Sequence, residues 1–201
     1  MSAPTKRQVE FFFDFGSPTA YLAYTQLPKI ARECGAEIVW RPMLLGGVFK
    51  ATGNQSPVLV ALKGVWMWGD MDRWARRYGV PLVKNPHFII NTLTLMRGAV
   101  GLQMRKPELF PRYVEIMFHA MWVDPCNLGD PAVVAATLKK EGFDDVAFAA
   151  LVADPEVKAK LIDLTDQAVK RGVFGAPTMF VGNEMYFGQD RLEFVREALS
   201  A

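Results

Sequence analysis

Apolar positions follow three different rhythms along this chain. At the start, Val9 to Phe15 (VEFFFDF) is a short aromatic and β-branched run closed by Gly16, which predicts a buried strand. Ser17-Pro18 then offers a favoured N-cap followed by proline at the first helical position. Tyr21, Tyr24, Leu27, Ile30, Ala31 and Cys34 continue at helical spacing until Gly35 stops the run. Pro28 lies inside this helix and predicts a kink. Glu37 to Pro42 reads as a second strand, so the chain opens β-α-β.

The middle is helical. Pro57 to Tyr78, Asn91 to Met104, Pro107 to Val123, Pro131 to Glu141 and Glu156 to Arg171 carry helix-compatible spacing, punctuated by Gly79 and several prolines. Trp66, Trp68, Met71 and Trp74 are assigned to core packing. The third rhythm begins at Thr178. Thr178 to Val181 and Met185 to Phe187 read as two strands joined by the hairpin dipeptide Gly182-Asn183. Gly188-Gln189-Asp190 leads into a last helix, Arg191 to Leu199. A β-α-β start and a β-β-α end predict one mixed sheet, built from 1–45 and 174–201, with a helical subdomain, 46–173, inserted between them.

Composition removes several function classes. The chain has 201 residues, and 23 basic against 21 acidic side chains leave a net charge of +2 with no block of like charge. That balance gives no electrostatic ground for binding nucleic acid or an anionic membrane. No apolar run of membrane-spanning length is present, and MSAPTKRQVE lacks a signal-like apolar core, so a cytoplasmic protein is expected. Cys34 and Cys126 form no C-x-x-C, which signals neither a disulfide framework nor a metal site.

Four stretches carry candidate chemistry. Ser17, at a strand–turn–helix junction, is an ordinary cap on one reading. On another, it stands at a helix N-terminus that stabilises an anion such as a thiolate. Its context, F-G-S-P-T, is not G-x-S-x-G, and nothing ties His87 or His119 to it, so acyl transfer is disfavoured. Pro177, entering a strand after Gly175-Ala176, is either a boundary residue or a cis proline that holds a strand edge open to a peptide-like ligand. Asp190 is placed to cap the last helix, or to receive an ammonium while the free amides receive a carboxylate. Gly46 to Asn54 (GGVFKATGN) lacks the ending of a phosphate-binding loop and reads as a surface loop. Asp14, a carboxylate in a strand that looks buried on both faces, needs a partner, for which Arg41 and Arg191 are candidates.

Taken together, F-D-F-G-S-P, L-G-G-V-F-K-A-T-G-N, R-W-A-R-R-Y-G-V-P-L and V-F-G-A-P-T-M-F-V-G-N-E-M-Y-F-G-Q-D-R-L resemble the 2-hydroxychromene-2-carboxylate isomerase family over essentially the whole chain. That family is similar to the kappa class glutathione transferases and, more distantly, to DsbA-type oxidoreductases. The resemblance implies an α/β, thioredoxin-like fold with a large all-helical insertion, with glutathione as cofactor. Ser17 then takes the catalytic position, and the second redox cysteine position falls on Ala20. Glutathione is expected against Ser17, Asn54, Ala176, Pro177, Phe187, Gly188, Gln189 and Asp190. The substrate, a small aromatic 2-oxo acid of the kind met in naphthalene breakdown, is expected against Lys50 (or its neighbour Phe49), Phe88 and Asn91. The implied reaction interconverts 2-hydroxychromene-2-carboxylate and trans-o-hydroxybenzylidenepyruvate. A conjugating transferase and a non-catalytic glutathione- or peptide-binding module are the alternatives, and a homodimer is compatible with the resemblance. A dithiol oxidoreductase is disfavoured because C-x-x-C is absent.

Overall fold

A computed structural model describes residues 7–201; the first six residues, part of the stretch read above for a targeting signal, lie outside the described ones. The chain runs β1 (Gln8–Phe13), α1 (Pro18–Glu33), β2 (Glu37–Pro42), α2 (Leu45–Thr52), α3 (Ala61–Tyr78), α4 (Leu93–Arg105), α5 (Phe110–Trp122), α6 (Pro131–Lys140), α7 (Asp145–Ala153), α8 (Pro155–Lys170), β3 (Thr178–Val181), β4 (Glu184–Phe187) and α9 (Leu192–Ser200). The four strands form one mixed sheet in the order β2-β1-β3-β4. β1 pairs parallel with β2 (Phe11 opposite Trp40) and antiparallel with β3 (Phe12 opposite Thr178). The hairpin β3–β4 turns through Gly182, whose φ of +59° suits the first position of a tight turn.

The period of two along β1 sorts its phenylalanines. Phe11 and Phe13 stack at 5.4 Å, and both meet Trp40 edge-on. Phe13 and Phe15 also reach Phe118 of α5, so the helical middle packs directly on the sheet. Phe12 points the other way, against Phe180. Each such buried side chain contributes about 1.5–3 kcal/mol, which makes the central strand a rigid base for the turn that follows it. Glu10 accepts from both Arg41 (2.7 Å) and Arg171 (2.6 Å). Although burial opposes ionisation there, the two guanidiniums hold its carboxyl below the ordinary range.

Two helices depart from the sequence reading. The stretch read as a surface loop is α2, because its N-terminus is held from outside the segment. Asp14 Oδ2 accepts the Leu45 amide at 2.8 Å, and Thr165 Oγ1 accepts that of Leu44 at 3.0 Å. Gly47 lies close to Thr165, and Gly53, at φ +69°, ends the helix. α7 has no counterpart in the sequence reading; DVAFAALVA is apolar nearly all round and shows little periodicity.

Asp14 also corrects an expectation, since neither Arg41 nor Arg191 reaches it. It is fully buried and accepts three hydrogen bonds: from the Gly16 amide (2.8 Å), the Leu45 amide (2.8 Å) and the Thr92 hydroxyl (3.0 Å). Burial pushes its carboxyl above the usual range, against the opposing pull of those donors. One side chain thus joins the end of β1 to the first residue of α2 and to the start of α4. Among the described residues no helix is long and apolar enough to cross a membrane.

Candidate active site

The turn from β1 delivers Ser17 to the N-cap of α1, with extended backbone (φ −97°, ψ 113°) and its Oγ accepting the Ala20 amide at 3.1 Å. Pro18 has no N–H, and Tyr21 N donates to the Ser17 carbonyl. Among the described residues, that leaves the Thr19 amide as the first-turn donor without an acceptor. A helix N-terminus with a free amide and an adjacent hydroxyl favours negative charge.

Facing Ser17 is Ala176, whose peptide bond to Pro177 is cis. The Ala176 carbonyl accepts from Ser17 Oγ at 3.0 Å and from Thr19 Oγ1 at 3.1 Å, and the two hydroxyl oxygens are themselves 3.0 Å apart. Beyond β4 the chain passes through Gly188 at φ +98°, whose amide donates to the Pro177 carbonyl at 3.0 Å. That φ favours glycine, and a Cβ there would also come within 2.5 Å of an Asp190 carboxylate oxygen, which would have to move aside. Tyr78 of α3 donates to the Gln189 carbonyl at 2.6 Å; burial, then the Asp190 charge, push its phenol up to about 12. Asp190 does not cap the last helix: α9 begins at Leu192 with no side-chain cap, and the Asp190 carboxylate pairs with Arg191 at 2.6 Å.

The opposite wall comes from α2, α3 and the segment before α4. Phe49, Lys63, Trp66, Met67 and Phe88 line it, and the cleft between the walls holds ≈ 680 Å³. Phe88 lies against Trp68 and Trp122 (5.9 and 5.7 Å between rings). This wall carries two charges: Lys63, which enters no ion pair among the described residues, and Asp70, which pairs with Arg73 at 3.5 Å.

A model of the DSBA-like thioredoxin domain matches residues 8–200. The 2-hydroxychromene-2-carboxylate isomerase of Sphingobium xenophagum is 32% identical over 195 residues, covering 96% of this chain and 98% of that protein. This chain belongs to that family. A solved 2-hydroxychromene-2-carboxylate isomerase superimposes with a TM-score of 0.84 over 96% of this chain and 94% of its own, at 32% identity. Human glutathione S-transferase kappa 1 is a more distant relative, 26% identical over 208 residues, 98% of this chain and 92% of its own.

Against the expectations that this family raises, the cleft brings together Ser17, Asn54, Phe88, Ala176, Phe187, Gly188, Gln189 and Asp190, with Pro177 directly behind Ala176. Asn54 donates to the Phe174 carbonyl at 2.9 Å and so ties the end of α2 to the segment before β3. Two expected residues stand elsewhere. Lys50 is exposed and does not line the cleft, whereas Phe49 does; successive residues of α2 are about 100° apart. Asn91 is exposed and accepts the Leu93 amide at 3.0 Å, which makes it a helix-start residue rather than a cleft residue. Trp66, assigned above to the core, is 65% exposed at the cleft mouth, while Met71 is buried. Sequence reasoning missed Lys63 and Thr19. Lys63 carries no local signal, but Thr19 could have been found as a second hydroxyl in the first turn beside Ser17.

A larger groove, ≈ 980 Å³, lies between α1, α5 and α6 and includes Tyr24, Trp40, Glu115 and His119. Ser17, Ala176, Gly188 and Asp190 all line the smaller cleft and none of them lines this groove, so the smaller cleft is the better candidate for chemistry on an anion.

Proposed function

We propose that this chain is a glutathione-dependent isomerase acting on 2-hydroxychromene-2-carboxylate or a closely related aromatic 2-oxo acid. The observation that carries this reading is Ser17 at the start of α1, buried opposite Ala176 in a cleft with one backbone-built wall and one aromatic wall. The residues present suit glutathione. The Asp190 carboxylate matches its ammonium, the amides that follow Gly188, those of Gln189 and Asp190, its α-carboxylate, and the Ser17 hydroxyl with the Thr19 amide its sulfur. Bound glutathione supplies a thiolate that adds reversibly to a conjugated double bond, letting that bond rotate as a single bond before the sulfur leaves.

The protein's part is electrostatic and geometric. The Ser17 hydroxyl would donate a hydrogen bond to the sulfur anion while keeping its proton, and the α1 terminus would add a further partial positive charge, so that thiolate is favoured at neutral pH. Lys63, in place of the expected Lys50, holds the substrate carboxylate. Phe49, Phe88 and Trp66 flank the ring and keep water from it.

A conjugating transferase is the second reading, favoured by the kappa class relative. Incubation with a hydroxychromene carboxylate separates the two. An isomerase turns the substrate over while free thiol stays constant, whereas a transferase consumes one thiol per turnover. Absence of any turnover, with glutathione bound, would leave a binding module.

A further inference from the structure

The hydroxyl geometry at Ser17 contains a conflict over protons. Ser17 and Thr19 carry one hydroxyl proton each, yet three contacts need one: Ser17 to the Ala176 carbonyl (3.0 Å), Thr19 to the same carbonyl (3.1 Å) and the hydroxyl pair itself (3.0 Å). If Ser17 satisfies the carbonyl, it has no proton for a ligand sulfur. If Thr19 satisfies it, the Ser17 proton is free. Ala176 is buried, and a buried carbonyl left without a donor is unfavourable. A residue in the first turn of a helix usually spends its hydroxyl locally; that of Thr19 instead crosses to a segment 157 residues away.

We propose that Thr19 is a positioning residue of the thiolate site: by holding the Ala176 carbonyl it releases the Ser17 hydroxyl to donate to the sulfur. This rests on the reading above, in which Ser17 faces the glutathione sulfur. Thr19 acts through Ser17 and so affects how readily the bound thiol ionises, not how tightly the rest of the peptide is held.

The test is titration of the bound thiolate by its ultraviolet absorbance, in wild type, Thr19→Val, Thr19→Ser, Ser17→Ala and the Ser17→Ala/Thr19→Val double variant. Valine keeps the shape and removes the hydroxyl. Thr19→Val is expected to raise the pKa of bound thiol by about 0.4–1 unit, a roughly three- to tenfold loss of thiolate below that pKa. Glutathione affinity measured by calorimetry at a pH where the thiol is protonated should change less than about twofold, and Thr19→Ser should restore the wild-type titration. In the Ser17→Ala background the valine substitution should do nothing, since there is no proton to release. An unchanged titration in Thr19→Val would overturn the proposal, as when a ligand N–H already satisfies the carbonyl. A shift of equal size in both backgrounds would overturn it too, by showing that Thr19 acts without Ser17. Wild type that binds no glutathione would defeat the functional reading and this proposal with it; binding with a normal Thr19→Val titration defeats only the latter.

Discussion

The two walls of the cleft are built by different means. On the sheet side, Ser17, Ala176, Gly188 and Gln189 are fixed by main-chain bonds: a helix cap, a carbonyl shared by two hydroxyls, the Gly188 amide on Pro177, and Tyr78 on Gln189. On the helical side, Phe49, Lys63 and Trp66 project as side chains from α2 and α3, and Lys63 and Trp66 are largely exposed. A ligand with a constant peptide backbone suits the first wall. A ring whose size and substituents vary suits the second, where a substitution alters shape without disturbing a hydrogen-bond network.

The contrast can be broken most sharply at Ser17. A hydrogen bond from a hydroxyl to an ionised partner is worth roughly 1.5–3 kcal/mol, one to two pKa units. Ser17→Ala is therefore expected to lower kcat about tenfold to a hundredfold near pH 7, with glutathione affinity less affected. The loss should shrink as pH approaches the ordinary thiol value of about 8.5, where solution supplies thiolate unaided. A rate equal to wild type across that range would reduce Ser17 to a helix cap.

A second test strikes where the walls join. Each oxygen of Asp14 accepts a backbone amide, so Asp14→Asn must turn an NH₂ toward one N–H. The expected cost is about 2 kcal/mol in chemical denaturation. Burial raises the Asp14 carboxyl above its unfolded value. Between those two values the folded protein keeps a proton that the unfolded chain has released, so this contribution is present below the unfolded pKa and is lost as pH rises through the folded one. Stability of wild type minus that of Asp14→Asn should accordingly fall with pH across that window; a flat difference would mean that the carboxyl titrates normally. The smallest effect is expected at Asp190, remote from the sulfur. Asp190→Ala should raise KM for glutathione about three- to tenfold and leave kcat nearly unchanged, because uniform binding is lost. An equal fall in kcat would place Asp190 in the chemistry.

Legibility in the sequence follows the same division. β1, α1, β2 and the final hairpin are announced by Gly16-Ser17-Pro18 and Gly182-Asn183, local signals that survive folding because they describe local backbone. α2 was illegible because Gly46 and Gly47 argue against a helix, and what stabilises it, the Asp14 and Thr165 contacts, comes from residues about 31 and 121 positions away. The sheet-side residues could be placed from motifs alone. Lys50 could not, since a shift of one position on a helix turns a side chain out of the cleft; Asn91, ahead of α4, is held by the Leu93 amide, and Lys63 stands on α3 with no local signal of its own.

The three donors on Asp14 have a consequence for motion. A local opening of α2 that released the Leu45 amide would take one of three donors from a buried carboxyl that also holds the turn before Ser17 and the start of α4. Fraying at this point therefore costs about 1–3 kcal/mol for the lost donor to a buried group, and the Leu45 amide is expected to exchange with solvent more slowly than the exposed amides of α3. The floor of the cleft is thus expected to open less readily than the exposed first turns of α3 at its mouth, an order that hydrogen exchange would check.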